Sequence, residues 1–198
     1  MTRALFIVDV QNDFTEGGSL GVGGGDAVAA GITAYLRVHP DRYDVVIASR
    51  DWHDADSSNG GHIALDGSPD FVGTWPVHCV AGTVGAQYDP GLDVDLIDVH
   101  IRKGQGTPAY SIFEGTTEDG DDLPTVLDKL KVDDVDVVGI ATDYCVRASA
   151  LDAIASGRHV RVIDDLVAGV APESSIAALR EVKAAGGEIE ASDGKDLS

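Results

Sequence analysis

Val135-Asp136-Val137-Val138-Gly139-Ile140-Ala141-Thr142-Asp143-Tyr144-Cys145-Val146-Arg147 is the stretch from which the fold is read. Its first six residues form a short β-branched run, too short for a helix, and the residues after Ala141 open a helical pattern over about Asp143 to Ser156. Working outward, runs of the same kind stand at Leu5 to Val8, Val45 to Ala48, Leu96 to Ile101 and Val160 to Ile163. They are short and rich in β-branched residues, as expected of buried parallel strands. Helical patterns at about Asp26 to Val38, Asp122 to Leu130 and Pro172 to Ala185 separate or follow them, several opened by an acid and closed near Gly157 or Gly186. The alternation predicts an α/β fold: a three-layer, doubly wound, mostly parallel sheet with helices on both faces, as one domain over 1–198. Asp51 to Leu92 is the exception, about forty residues rich in Gly, Ser, Pro, His and Asp without sustained periodicity, and a connection that long is usually functional.

Composition bounds the partners. The chain has 198 residues with 14 Lys+Arg against 34 Asp+Glu, a formal net charge of −20. Phosphate backbones and anionic membrane faces would be repelled, so neither nucleic acid nor membrane is expected as a partner. With 43% hydrophobic residues, the chain can bury a full core, which excludes disorder by composition. The first apolar run ends at Asp9, far short of a signal or spanning segment, so a cytoplasmic protein is expected. In that compartment Cys79 and Cys145 are expected as free thiols. The glycines from Gly17 to Gly25 are not a phosphate loop, since no Gly-Lys-Ser/Thr follows.

In a doubly wound sheet, ligands bind outside the carboxyl ends of the strands, so residues at the ends of the runs are read together. Asp9 closes the first run, Asp51 follows the second, Lys103 the third, and Cys145 lies just past the fourth. If a helix begins near Thr142 or Asp143, Cys145 sits in its first turn, where free N–H groups and the helix dipole favour a thiolate. Asp9 can then accept the thiol proton, and Lys103 can hold the carboxylate ionised. Each residue also has a plain structural reading: Cys145 as packing, Asp9 as a loop cap, Lys103 as an ion-pair partner.

A second constellation lies in the irregular connection, in Asp51-Trp52-His53, His62 and Trp75-Pro76-Val77-His78-Cys79. Asp-x-His in an extended stretch points both side chains the same way, and two further imidazoles can close a cation site. Three nitrogens and one carboxylate suit zinc, iron or manganese. Cys79 is a rival ligand, although neighbours in an extended chain face opposite sides. His39, His100 and His159 stand in helix-end or strand contexts and read as structural.

Asp9-Val10-Gln11-Asn12-Asp13-Phe14, Gly17-Gly18-Ser19-Leu20, Arg50-Asp51-Trp52-His53, Trp75-Pro76-Val77-His78-Cys79, Lys103-Gly104, Tyr110-Ser111 and Gly139 to Arg147 together resemble the nicotinamidase/pyrazinamidase family of isochorismatase-like cysteine hydrolases. The resemblance runs in order from residue 3 to about residue 180. It implies hydrolysis of nicotinamide to nicotinate and ammonia through a cysteine thioester, a step of NAD salvage, with pyrazinamide as a further substrate. Carried over residue by residue, it implies a triad of Asp9, Lys103 and Cys145, and metal ligands at Asp51, His53, His62 and His78. It also implies a cis peptide at Ile140-Ala141, with the Ala141 and Cys145 amides as an oxyanion hole. Phe14, Leu20, Trp75, Tyr110 and Tyr144 would line the substrate pocket. One divalent ion per chain is implied, zinc first, with iron or manganese as alternatives, to position the pyridine nitrogen.

Two departures stand out. Eight residues separate His53 from His62, a longer spacing than in shorter bacterial members, which leaves Asp54 or Asp56 open as the replacement for His62. Tyr144 precedes the cysteine where some relatives carry histidine. N-carbamoyl amidases of this fold lack the metal set and isochorismatases lack the cysteine, so both are disfavoured. Another metal-dependent amidase of the same fold, metal-hydroxide chemistry with Cys145 as packing, and a non-catalytic metal-binding module remain the alternatives.

Overall fold

Strand β1 (Thr2–Val8) supplies the centre of the molecule, because Ala4 through Val8 are fully buried and their side chains feed two cores in alternation. In the computed structural model, which describes residues 1–194, β1 is joined by β2 (Val45–Asp51), β3 (Val99–Lys103), β4 (Val132–Ile140), β5 (His159–Ala168) and β6 (Glu188–Glu190). The sheet order is β3-β2-β1-β4-β5-β6 and every neighbouring pair is parallel. Of the unit expected over 1–198, residues 195–198 lie outside the described ones.

Ala4, Phe6 and Val8 pack into the core shared with α2 (Leu123–Leu130), α3 (Arg147–Ala155) and α4 (Pro172–Ala184). Leu5 and Ile7 pack into the opposite core, closed by Val28, Ile32 and Leu36 of α1 (Gly25–Val38). The three expected layers are present. Asp122 caps α2 by accepting the Thr125 N–H at 2.9 Å, and Lys131 ends that helix in the left-handed region. A distant residue serves the start of α1, where Glu16 accepts the N–H groups of Gly24 at 2.6 Å and Asp26 at 2.7 Å.

Several boundaries differ from the sequence reading. Of the expected run Leu96 to Ile101, only the second half joins β3, because Asp93 caps a 3₁₀ turn over Val94–Leu96. The helix expected from Asp143 opens as a π-helical turn, Thr142–Val146, in which the Tyr144 and Val146 N–H groups both reach the Ala141 carbonyl. Its α-helical part is α3. Strand β6 has no counterpart in the sequence reading, since Glu188-Ile189-Glu190 offers one apolar residue. None of the helices among the described residues is long and apolar enough to cross a membrane.

Successive strands run outward in one direction from β1 to β3 and in the other from β4 to β6, so the order reverses between β1 and β4. A crevice opens outside the carboxyl ends at such a reversal. Gly139 makes the approach of the two strands possible: its φ is 115°, and a Cβ there would lie 2.2 Å from the Val8 carbonyl oxygen.

Candidate active site

Asp9, Asp51 and Lys103 reach the crevice from the ends of three neighbouring strands. Asp9 follows the last residue of β1 with φ 49°, in the left-handed region, while Asp51 and Lys103 are the terminal residues of β2 and β3. All three are buried. Lys103 Nζ stands between the two carboxylates, 2.6 Å from Asp51 Oδ1 and 2.8 Å from Asp9 Oδ2, and 3.8 Å from Cys145 Sγ. Ser49 Oγ donates to Asp9 Oδ1 at 2.7 Å. Asp9 Oδ2 is within ion-pair distance of Lys103 but receives no well-directed hydrogen bond among the described residues, so its lone pairs are open to a proton from the thiol.

Cys145 sits in the π-helical turn rather than in the first turn of an α-helix, and it is buried there. Burial pushes the thiol well above its ordinary pKa; Lys103 opposes that shift, and Asp9 and Asp51 add to it. Burial thus works against the thiolate that a helix terminus would favour, so the thiol proton needs an acceptor beside it. Burial also raises Asp9, against the pull of Lys103, making it the better proton acceptor. Burial alone would depress Lys103, but Asp51 and then Asp9 outweigh it and hold the ammonium charged. For Asp51, burial is again overcome, by Lys103 and then His53, and its carboxyl stays well below the usual range.

His53, His62 and His78 form a buried cluster with one ring nitrogen from each within 4.8 Å of the others. Asp51 Oδ2 lies 3.7 Å from His53 Nε2 and 3.9 Å from His78 Nε2. His53 Nδ1 is bonded to the Gly104 carbonyl and His78 Nδ1 to the Pro76 carbonyl, both at 2.7 Å. Facing a carbonyl, Nδ1 must carry the hydrogen, which leaves each Nε2 as a lone-pair donor. His53 Nε2 and His62 Nδ1 are buried without a hydrogen-bond partner among the described residues. Orphaned buried nitrogens beside a carboxylate are a donor set that fits a divalent cation. Burial, with His78 and His53 nearby, lowers His62 to about 4, so its imidazole is neutral at neutral pH, as ligation requires.

The eight residues before His62 are folded inward by Asn59. Its side chain accepts from the amides of Asp54 at 2.9 Å and Gly106 at 3.0 Å, and donates to the carbonyls of Asp54 and Ser57, each at 3.1 Å. His62 thus joins the cluster, whereas Asp54 and Asp56, the open replacements, lie exposed. Cys79, the rival ligand, is also outside the cluster: its φ is 45°, and its N–H is held by Asp13 at 2.7 Å.

A cavity of about 370 Å³ joins the two groups. Asp51, His62, His78, Ala141 and Cys145 line it, as do all five residues expected in the pocket, Phe14, Leu20, Trp75, Tyr110 and Tyr144. Trp75 Nε1 donates to the Tyr110 hydroxyl at 3.0 Å, and the Tyr110 and Tyr144 rings stack at 6.2 Å. The Ile140-Ala141 peptide at the cavity floor is cis. His39, His100 and His159 lie outside the cavity lining, and His100 bonds the Tyr88 hydroxyl at 3.0 Å.

An isochorismatase domain model matches residues 3–193. The chain belongs to the isochorismatase family. Within that family it is 49% identical to the nicotinamidase/pyrazinamidase of Mycobacterium tuberculosis over 187 residues, covering 94% of this chain and 97% of that one. Among solved structures of the isochorismatase fold, the PnC1 protein of L. infantum in complex with nicotinate is 34% identical with a TM-score of 0.81, covering 97% of this chain and 93% of its own. The pyrazinamidase of Pyrococcus horikoshii in complex with zinc is 36% identical with a TM-score of 0.80, covering 96% and 99%.

Residues that sequence reasoning missed in this isochorismatase domain are those that position others. Gln11 is fully buried and pairs with the backbone of Asp51, accepting its N–H at 2.8 Å and donating to its carbonyl at 2.9 Å, with a further bond to the Ala86 carbonyl at 3.1 Å. Gly104 makes room for His53, since a Cβ there would lie 2.5 Å from the imidazole ring. Gln11 and Gly104 fall inside the motifs that carry the resemblance, but nothing in their residue types announces these contacts.

Proposed function

We propose that this chain is an amidase that hydrolyses nicotinamide to nicotinate and ammonia, and pyrazinamide likewise, through a thioester on Cys145. The observation that carries the reading is that one cavity is lined both by Cys145, whose sulfur stands beside the Lys103–Asp9 pair, and by His62 and His78 of the three-imidazole cluster. The nicotinate and zinc complexes of the relatives support the substrate and the metal.

Asp9 takes the proton from Cys145 through Oδ2, the oxygen that Ser49 does not hold, and the sulfur attacks the carboxamide carbon. The amides of Ala141 and Cys145 donate to the oxyanion as it forms. Asp9 returns its proton to the nitrogen, the C–N bond breaks and ammonia leaves, with the acyl group held on sulfur. Water then attacks the thioester while Asp9 accepts its proton, and the proton passes to the departing sulfur as the acid is released. Lys103 remains charged throughout, stabilising first the carboxylate of Asp9 and then the sulfur anion. Asp51, His53, His62 and His78 would hold a divalent ion, zinc in this reading, which supplies a Lewis-acidic position for the ring nitrogen. Phe14 and Trp75 line the cavity and would hold the ring. Two free thiols agree with the cytoplasm as the place of action.

Ammonia release tests the assignment. Zinc-loaded protein should act on nicotinamide and lose turnover on chelation, and benzamide, which lacks the ring nitrogen, should be a poor substrate even with zinc present. Equal rates on the two amides, or no ammonia at any zinc loading, would contradict it.

A further inference from the structure

The cavity has a rim that the family resemblance did not supply. Phe71 lines it while remaining 56% exposed, and Val170, 57% exposed, lines the same outer region. A single exposed apolar side chain needs no explanation, but Phe71 is held in place. One oxygen of Asp70, Oδ1, accepts from the amides of Val72 at 2.9 Å, Gly73 at 2.9 Å and Thr74 at 2.8 Å, and from the Thr74 hydroxyl at 3.0 Å. The Thr74 hydroxyl oxygen accepts in turn from the Asp70 N–H at 2.9 Å, and the Phe71 N–H donates to the Thr74 carbonyl at 3.0 Å.

Phe71 itself lies in the left-handed region with φ 55°, an uncommon conformation for an aromatic residue, maintained by its surroundings. The turn is tied to the deeper site through backbone bonds from Trp75 N–H to the His62 carbonyl and from Ala64 N–H to the Trp75 carbonyl, both 2.9 Å. Phe71 meets the Trp75 ring edge-on at 6.3 Å, and Trp75 meets Tyr144 edge-on at 5.3 Å. Aromatic surface therefore runs without a break from the solvent end of the cavity to the residue beside Cys145. Val170 is held comparably, its N–H donating to Asp143 at 3.0 Å.

From this arrangement we infer that Phe71, presented by the Asp70-clamped turn, is a specificity-determining residue that covers the outer edge of the bound ring and restricts the site to compact heteroaromatic carboxamides. The inference rests on the proposed amidase reading and deepens it. Phe71 is remote from the bonds that change, so its contact is the same in the ground and transition states and appears in KM rather than kcat.

The test is steady-state ammonia release from nicotinamide by zinc-loaded protein carrying Phe71→Ala, Phe71→Tyr, Asp70→Ala or Phe71→Ala with Asp70→Ala, with zinc content measured on each preparation. Phe71→Ala should raise KM about tenfold with kcat within about twofold. Phe71→Tyr should keep KM near that of the unmodified protein, Asp70→Ala should raise it with Phe71 intact, and the double substitution should be no worse than Phe71→Ala alone. Zinc content should not change. An unchanged KM in Phe71→Ala, or Asp70 and Phe71 effects that add in full, would overturn the inference while leaving the amidase reading in place. Absence of turnover by the unmodified protein would overturn both.

Discussion

Asp9, Asp51 and Lys103 come to the cavity on strand ends fixed by the sheet ladder, whereas His62 and His78 come on a long connection in which regular structure is limited to isolated bridges and turns. The two regions are equally buried but are held differently. The strand-borne group is fixed by parallel pairing on both sides of β1 and β2, and its own ion pairs complete it. The loop-borne group depends on polar side chains that take over the role of a ladder: Gln11 against Asp51, Asn59 across the segment before His62, Asp13 on the amide after His78. Asp51 and His53 belong to both, being carried by β2 or its continuation and held by Gln11 and Gly104. Damage in the first region should therefore cost stability and chemistry together, and damage in the second should appear first as weakened metal retention.

Lys103→Ala gives the largest expected effect. It leaves Asp9 and Asp51 as uncompensated buried carboxylates, which should cost roughly 3 to 5 kcal/mol in denaturant unfolding and remove turnover. A loss below about 1 kcal/mol would show that the strand-end group is not an electrostatic centre of the fold. Gln11→Ala sharpens the contrast, because it strips partners from three buried backbone groups at a cost of about 1 to 3 kcal/mol. It should also weaken zinc binding by about 10- to 100-fold in competition with a chelator. Normal zinc affinity in this variant would remove the distinction between ladder-held and clamp-held ligands.

A smaller effect separates the regions by pH. His62 has its folded pKa lowered to about 4, chiefly by burial, against about 6.5 for a free imidazole. The unfolded chain therefore binds the proton more readily, and His62 contributes stability that is complete above about pH 6.5 and lost as pH falls towards about 4. Thermal melting of zinc-free protein should show a decline across that window that is shallower in His62→Gln. A decline of the same steepness in both proteins would assign it to other groups.

The strands and their terminal residues are legible in the sequence because buried parallel strands read as short runs rich in β-branched residues, and a doubly wound sheet gathers the residues at their carboxyl ends along one edge. On that basis the sequence alone brings Asp9, Asp51, Lys103 and Cys145 together. The features that escape such a reading depend on partners far away in the chain. Gln11 meets Asp51 forty positions on, and Asn59 meets Gly106 forty-seven positions on. Neither residue type distinguishes a buried clamp from a solvated loop side chain. The setting of Cys145 departs from expectation for a related reason: the sequence suggests the first turn of an α-helix, but the cysteine stands in a buried π-helical turn. Phe71 escapes because an isolated aromatic residue in a Gly- and Pro-containing segment carries no periodic signal.

Cys145→Ala, assayed for ammonia release from nicotinamide and for zinc content on a single preparation, separates a nucleophilic sulfur from a packing one. Turnover should fall by at least about a thousandfold with zinc content unchanged, because the sulfur forms the acyl bond and takes no part in the imidazole cluster. Turnover persisting near the unmodified rate with zinc retained would contradict it and assign the chemistry to a metal-activated water instead.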